Sequence, residues 1–456
     1  MKKLLFFSML GLFPMLSFAA DTINSGDTAW VLTASAFVLL MTPGLAFFYA
    51  GMTSSKNVVS TLFQNFAAIG VIGVLWAICG YSLAFGTQGN SFIGDLSFLF
   101  LKGVEGTPNT DYASNIPHSA FMIFQCMFAI ITPILMTGAI AERIKFKSFL
   151  LFMGLWSLFI YSPIAHWVWG VGGFIRNMGG LDFAGGMVVH MSAGFSALTL
   201  VLLLGKRKSF GVTETKPHDL GMVLLGTALL WFGWFGFNAG SALSAGALAA
   251  QAFGTTFLAS ATAFIGWMAV DWIRKGKPSA MGAGIGAVAG LVTITPASGF
   301  VSFNFALLIG LMAGCICNMA VTFIKETLKL DDTLDVIGCH GVGGVLGTLL
   351  TAVFSSKYVN SAGADGLIYG DATILKANLA GTVAIIFMSM VGTAIIYKIV
   401  DMIFEFRVSE IEEKQGLDFS QHGEVIGTNT IIENNHYMNK DSQKDQYTDN
   451  KIRMTK

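Results

Sequence analysis

The chain reads as an all-α integral membrane protein, and three observations carry that reading. Of 456 residues, 54% are hydrophobic and only 12% charged, with 53 glycines and 39 phenylalanines. A soluble fold of this size needs far more charge to cover its surface. About eleven apolar runs follow one another, each near the roughly 20 residues a helix needs to cross a bilayer. Lysine and arginine then gather in every second connecting loop. The formal net charge is zero, so composition implies no nucleic-acid partner.

The first segment, "MKKLLFFSMLGLFPMLSFAA", has a basic start, an apolar centre and small residues at its end. Ser17-Phe18-Ala19 fits the small-x-small rule, so residues 1–19 are expected to be a signal peptide cleaved after Ala19. Membrane spans are expected to start near Trp30, Thr61, His118, Phe149, Phe183, Leu220, Ala252, Met281, Phe303, Val336 and Ala377. Together they make a membrane domain of residues 20–400. The five cysteines (Cys79, Cys126, Cys315, Cys317 and Cys339) all lie in apolar runs, and the Cys-x-Cys pair has neither metal nor redox spacing. They read as small hydrophobes, with no disulfide expected.

The loops orient the spans. One alternating set carries Lys56; Arg143, Lys145 and Lys147; Lys206, Arg207, Lys208 and Lys216; Arg274, Lys275 and Lys277; then Lys325 and Lys329. The other set holds only Lys102, Arg176, Lys357 and Lys376. Cytoplasmic loops retain basic residues, so the first set is expected inside a bacterial-type inner membrane. The mature N-terminus is then periplasmic. The tail, residues 401–456, is cytoplasmic. Its distal part, Asn439 to Lys456, has almost no apolar residues and is expected to be disordered.

Two spans hold a histidine where lipid would not welcome one. His190 sits in "DFAGGMVVHMSAG" and His340 in "DVIGCHGVGGVLG". Each follows an aspartate, Asp182 or Asp335, and each begins a His-x-x-small-Gly pattern. With five spans before the repeat, the fifth helix runs inward and the tenth outward. That is a five-plus-five inverted repeat, which places a functional site at the repeat interface. An ionisable side chain inside a span is a functional candidate. A metal centre would want three or four ligands, and no further His, Asp or Glu accompanies either residue. Paired neutral imidazoles, each with one donor and one acceptor nitrogen, could instead line a narrow path.

Aromatic residues add a second pattern. Phe124 and Phe128 in "FQCMF" lie four apart, on one helix face and about 6 Å different in depth. Phe237 and Ser241, in "WFGWFGFNAGS", have the same spacing on a helix of opposite direction. Opposed, they would give an outer layer of Phe124 with Ser241 and an inner layer of Phe128 with Phe237, and Trp169 could join the outer layer. Ring faces plus a hydroxyl suit a small hydrogen-bond-donating cation.

At these residues the chain resembles the ammonium transporter family (Amt/Mep/Rh). The matching blocks are "PGLAFFYAG", "GAIAERI", "PIAHWVWG", "DFAGGMVVH", "GWFGFNAGSA", "GLVTITPASG", "DVIGCHGVGG" and the tail block "GLDFSQHGE", from about Trp30 to Glu424. The resemblance implies an outer recruitment site of Phe124, Trp169 and Ser241, a phenyl gate of Phe128 and Phe237, and a pore pair of His190 and His340. It assigns Asp182 to the outer end of the fifth helix as structural support, and His166 to a structural role. It further implies a homotrimer with one pore per subunit, ammonium or ammonia as cargo, membrane lipid around it, and a PII-type signalling protein at the cytoplasmic face. Trp169 and Ser241 favour the Amt branch over the Rh branch. No cofactor or metal is implied. After Glu424 the tail runs on longer than the family's usual ending.

Three other function classes remain for comparison. A membrane sensor could use the same pore to report ammonium through its tail. An intramembrane enzyme lacks support: no H-E-x-x-H occurs, and Ser196 in "GFSAL" has no evident histidine partner. A gas or water channel would differ in solute selectivity.

Overall fold

Eleven helices carry the chain back and forth between two faces in the computed structural model, which describes residues 23–212 and 217–426. The expected signal peptide, Lys216 and the distal tail lie outside the described residues. The helices are α1 (Ser25–Met52), α2 (Val58–Phe85), α3 (His118–Ile140), α4 (Phe146–Asn177, interrupted after Trp169), α5 (Gly186–Leu204) and α6 (Leu220–Gly240). They continue as α7 (Ala247–Lys275), α8 (Ala280–Ile294), α9 (Phe303–Thr327), α10 (Ile337–Phe354) and α11 (Thr373–Ile403). Among the described residues, ten are long and apolar enough to cross a membrane, and α8 is the short one. The chain is thus a multi-pass helical membrane protein, with starts within a few residues of those expected from sequence.

Local chemistry sets the boundaries. Asn24, Asp219 and Ser279 cap α1, α6 and α8 through side-chain oxygens that accept backbone N–H bonds, satisfying donors a helix start leaves free. Gly276, in the left-handed region at φ 75°, closes α7. Pro296 has no N–H to continue the ladder, so α8 stops at Ile294 although Thr295 still has helical φ and ψ. Beyond it the chain turns irregularly, with Thr255 Oγ1 donating to Ser298 O at 2.8 Å and Gln251 Nε2 to Val301 O at 2.9 Å. Such backbone is tolerated at membrane depth only where protein surrounds it, and Thr295, Ala297 and Ser298 are fully buried.

The two halves correspond helix by helix. α1 packs on α2 and α3 as α6 packs on α7 and α8, while α2 meets α4 as α7 meets α9. The halves join through α1 along α6 and through α5 across α10. At that crossing the start of α5 meets the end of α10, and the end of α5 meets the start of α10, as an inverted repeat requires. α11 stands outside the repeat, against α4, α5 and α10.

One face carries residues 404–426 and is called the tail face; the other is the mouth face. On the tail face the loops are tied by buried charges. Arg143 pairs with Asp331 at 2.9 Å, while Arg207 pairs with Asp331 at 2.9 Å and with Glu142 at 2.8 Å. Burial pushes the Asp331 carboxyl up, but the Arg207 and Arg143 guanidinium groups outweigh it and hold the group below its ordinary range. The tail lies across these loops. Val408 N–H donates to Arg143 O at 3.1 Å, and Ser60 N–H to Asp418 Oδ1 at 2.7 Å. Two short helices follow there, α12 (Glu410–Gln415) and α13 (Leu417–His422), the first opened by a Ser409–Glu412 capping box.

Candidate functional site

The α5–α10 crossing is possible because two glycines meet there. A Cβ on Gly194 would lie 2.2 Å from Gly341 N and 2.3 Å from its Cα. On the opposite side a Cβ on Gly344 would lie 2.9 Å from Met191 N and 3.3 Å from His190 Cβ. The His-x-x-small-Gly pattern therefore has a packing meaning: the glycine four residues after each histidine receives the other helix. Small residues permit such close backbone approach in membranes.

Both histidines sit on wide, π-type turns, Gly186–Met191 and Ile337–Val342. His190 N–H reaches back five residues to Gly185 O at 3.0 Å. Turns of this kind recur at functional sites. Here they bring the rings together: His190 Nδ1 and His340 Nδ1 are 3.2 Å apart, with the residues 1% and 4% exposed. His190 Nε2 is buried without a hydrogen-bond partner among the described residues. The His190 ring lies over Phe237 and Trp234, at centroid distances of 5.9 and 5.4 Å and interplanar angles near parallel, 23° and 25°. Trp234 is held in turn by its Nε1–H donating to Thr295 Oγ1 at 2.9 Å.

Two cavities meet this assembly. A small one of about 10 Å³ is lined by His190, His340, Trp234, Phe237 and the aliphatic side chains of α1, α3, α6 and α8. A larger one of about 240 Å³ opens at the mouth face and is lined in part by Phe128, Trp169, Ser241 and Gln125. Phe128 and Phe237 stand between them, with ring centroids 4.3 Å apart and both residues essentially inaccessible.

The structure brings six of the eight sequence-predicted residues to this axis: Trp169, Ser241, Phe128, Phe237, His190 and His340. Phe124 is placed differently. The face of α3 turned to the larger cavity is the row Phe121, Gln125 and Phe128, spaced i, i+4, i+7. Phe124 lies beside that row, fully buried, edge-on to Phe128 at 5.0 Å and next to Gly240. It backs the Phe128 ring instead of lining the cavity.

Asp182 is also off the axis. Its carboxylate accepts four backbone N–H bonds from Gly185, Gly186, Met187 and Val188, at 2.7–3.2 Å. Burial pushes this carboxyl above its ordinary range, and the four donors pull against that. Its carbonyl accepts the Trp169 Nε1–H at 2.9 Å, which orients the indole over the cavity. His166 sets Nδ1 3.0 Å from Ala84 O and Nε2 2.8 Å from Asn90 O, and a ring N–H donating to such a carbonyl pins the loop after α2.

The counterpart of Asp182 in the second half is a correction to the sequence pairing with Asp335. Asp332 accepts from Val336 N and Ile337 N at 3.1 and 2.7 Å, whereas Asp335 pairs with Lys325. Burial and the Asp335 charge push Asp332 up to about 7. Asp335 is nearer in sequence and so drew the comparison. The signal that finds Asp332 is spacing: it precedes His340 by the same eight residues that separate Asp182 from His190.

An aromatic mouth, a closed pair of rings and twin imidazoles in an apolar pinch define a polytopic membrane protein built to pass something small. Comparison with known proteins makes this specific. Residues 29–426 match the model of the Ammonium Transporter Family. An ammonium transporter of Bacillus subtilis (strain 168) is 48% identical over 402 residues, covering 88% of this chain and 98% of that one. The crystal structure of Candida albicans Mep2 superposes with a TM-score of 0.81 at 36% identity, covering 86% of this chain and 88% of that one. A sensor Amt protein matches with a TM-score of 0.79 at 29% identity, covering 87% and 98%. The chain belongs to the ammonium transporter family.

Proposed function

We propose that this chain moves ammonium nitrogen across the inner membrane, recruiting the cation at the mouth and passing it onward as ammonia. The observation that carries the reading is the 3.2 Å contact between the two Nδ1 atoms, next to a cavity of about 10 Å³. A hydrogen bond between two Nδ1 atoms needs one proton, so one ring donates and its partner accepts. By valence the two Nε2 atoms then differ, one carrying N–H and the other a lone pair. Ammonia can use both. A potassium ion cannot use the N–H and gains at most the one lone pair, and nothing else in so apolar a pinch replaces its water.

Recruitment falls to Trp169, Ser241 and the Phe128 ring in the larger cavity, with Phe124 and Asp182 supporting them. The Phe128–Phe237 pair acts as the gate, and deprotonation occurs there. The released proton passes along the imidazole pair, whose tautomers can exchange, and rejoins ammonia on the tail side, so that net transport carries charge. On the residue pattern of the loops, the mouth is periplasmic and the tail cytoplasmic. Residues 1–19 are removed as a signal peptide. The family pattern supports a homotrimer with a pore in each subunit and a PII-type protein at the tail face.

Current recording on a supported membrane, with ammonium against potassium, tests this. His190→Ala or His340→Ala is expected to change ammonium current by about tenfold or to admit potassium. Unchanged current and selectivity in both variants would overturn the pore assignment. A sensor role is favoured by one observation, the tail's bonds to the loop after α1 and the loop before α4 together. A reconstituted chain that binds but does not move methylammonium would make it the primary function.

A further inference from the structure

The larger cavity must attract a cation, yet its formal charges cancel: Asp111 and Arg176 both line it. Attraction then rests on ring faces and on neutral oxygen acceptors. Ammonium is a donor at all four hydrogens and accepts nothing, so the supply of free acceptors decides how well it is held.

Ser241 supplies one. Its hydroxyl donates its only proton to Phe237 O at 2.8 Å, which leaves its lone pairs for a ligand. Arg176 is spent on Trp169 O at 2.7 Å and has no acceptor to offer. Gln125 supplies a second. It sits midway along the α3 row between Phe121 and Phe128, and it lines the same cavity as Ser241. Its Oε1 is buried and has no hydrogen-bond partner among the described residues. Leaving a buried amide oxygen unpaired carries a desolvation cost that folding normally avoids. The oxygen itself is covered from the cavity, and a half-turn of the terminal amide, a soft two-fold torsion, presents it to an arriving donor.

We infer that Gln125 is a further recruiting residue, its carboxamide oxygen accepting a hydrogen bond from ammonium while Ser241 accepts another. This rests on the proposed recruitment site and extends it. Phe124 had been expected to complete that layer. The structure offers the polar residue next to it in sequence instead.

The test is the ammonium dependence of current for the full chain in proteoliposomes. Gln125→Leu keeps the bulk and removes the acceptor. It is expected to raise the half-saturating ammonium concentration about tenfold, the effect of one charge-assisted hydrogen bond, with maximal current within about twofold of wild type. Gln125→Glu restores an acceptor oxygen and is expected to bring half-saturation back. A purely structural role would lower maximal current or yield and would not be rescued in this way. Gln125→Met carries the same expectation as Gln125→Leu if the latter fails to reach the membrane. Half-saturation within twofold of wild type in the acceptor-free variant, alongside a clear shift in Trp169→Leu, overturns the role of Gln125 alone. No shift in Trp169→Leu or Ser241→Leu either would overturn the recruitment site itself.

Discussion

Asp182 shows how one side chain can hold a site it does not touch. Four N–H groups at the start of α5 have no carbonyl partner within the helix, and the carboxylate takes them all. Its own carbonyl fixes the Trp169 indole. Removing the carboxylate leaves buried donors unpaired at about 1–3 kcal/mol each. Asp182→Ala is therefore expected to lower the melting temperature in detergent markedly and to abolish flux, with Asp182→Asn between it and wild type. A melting temperature unchanged from wild type in Asp182→Ala would show that the cap contributes nothing. The residue scale also separates neighbours. Phe124 and Gln125 differ by one position, about 100° around the helix, and only the latter reaches the cavity.

At the scale of elements, the α5–α10 crossing decides whether the imidazoles meet. Each histidine rides a π-type turn, and each helix is received by a glycine of the other. With only 2.2 Å between a Cβ at position 194 and Gly341 N, no side-chain rotation relieves a larger residue. Overpacking of this kind typically costs about 1–3 kcal/mol, and here it would push the rings apart. Gly194→Val is expected to cut ammonium current at least tenfold, even in the fraction that is inserted and assembled. Current at the wild-type level per inserted chain would mean that ring contact is not needed. α8 shows a second element effect: its short length follows from Pro296, and the irregular stretch after it places Thr295 under Trp234.

For the whole molecule, orientation and assembly can each be read by one measurement. The tail and the basic loops share one face: Arg207 Nη2 pairs with Asp331 there, and Arg407 Nη1 donates to Leu204 O at 2.5 Å. If that face is cytoplasmic, Lys357→Cys is expected to react with an impermeant maleimide on intact cells and Lys277→Cys only after permeabilisation. The reverse pattern would turn the pore around. Native mass spectrometry is expected to give three chain masses; a single chain mass would remove the homotrimer.

Much of this architecture was legible from residue order. Hydrophobic runs located the eleven helices within a few residues because lipid demands a continuous apolar length. The loop charges separated two faces, and the repeat followed from two histidines in matching blocks. The i, i+4 spacing aligned Phe128 with Phe237, since helix geometry is local. What spacing could not decide was which side of α3 faces the cavity, or that Asp332 and not Asp335 answers Asp182. Both depend on how far each helix rotates about its axis against its neighbours. That rotation is set by close packing among many side chains, glycine contacts such as Gly194 on Gly341 above all. Sequence determined the helices, their order and the residues worth pairing; only the tertiary packing determined which of those side chains share a space.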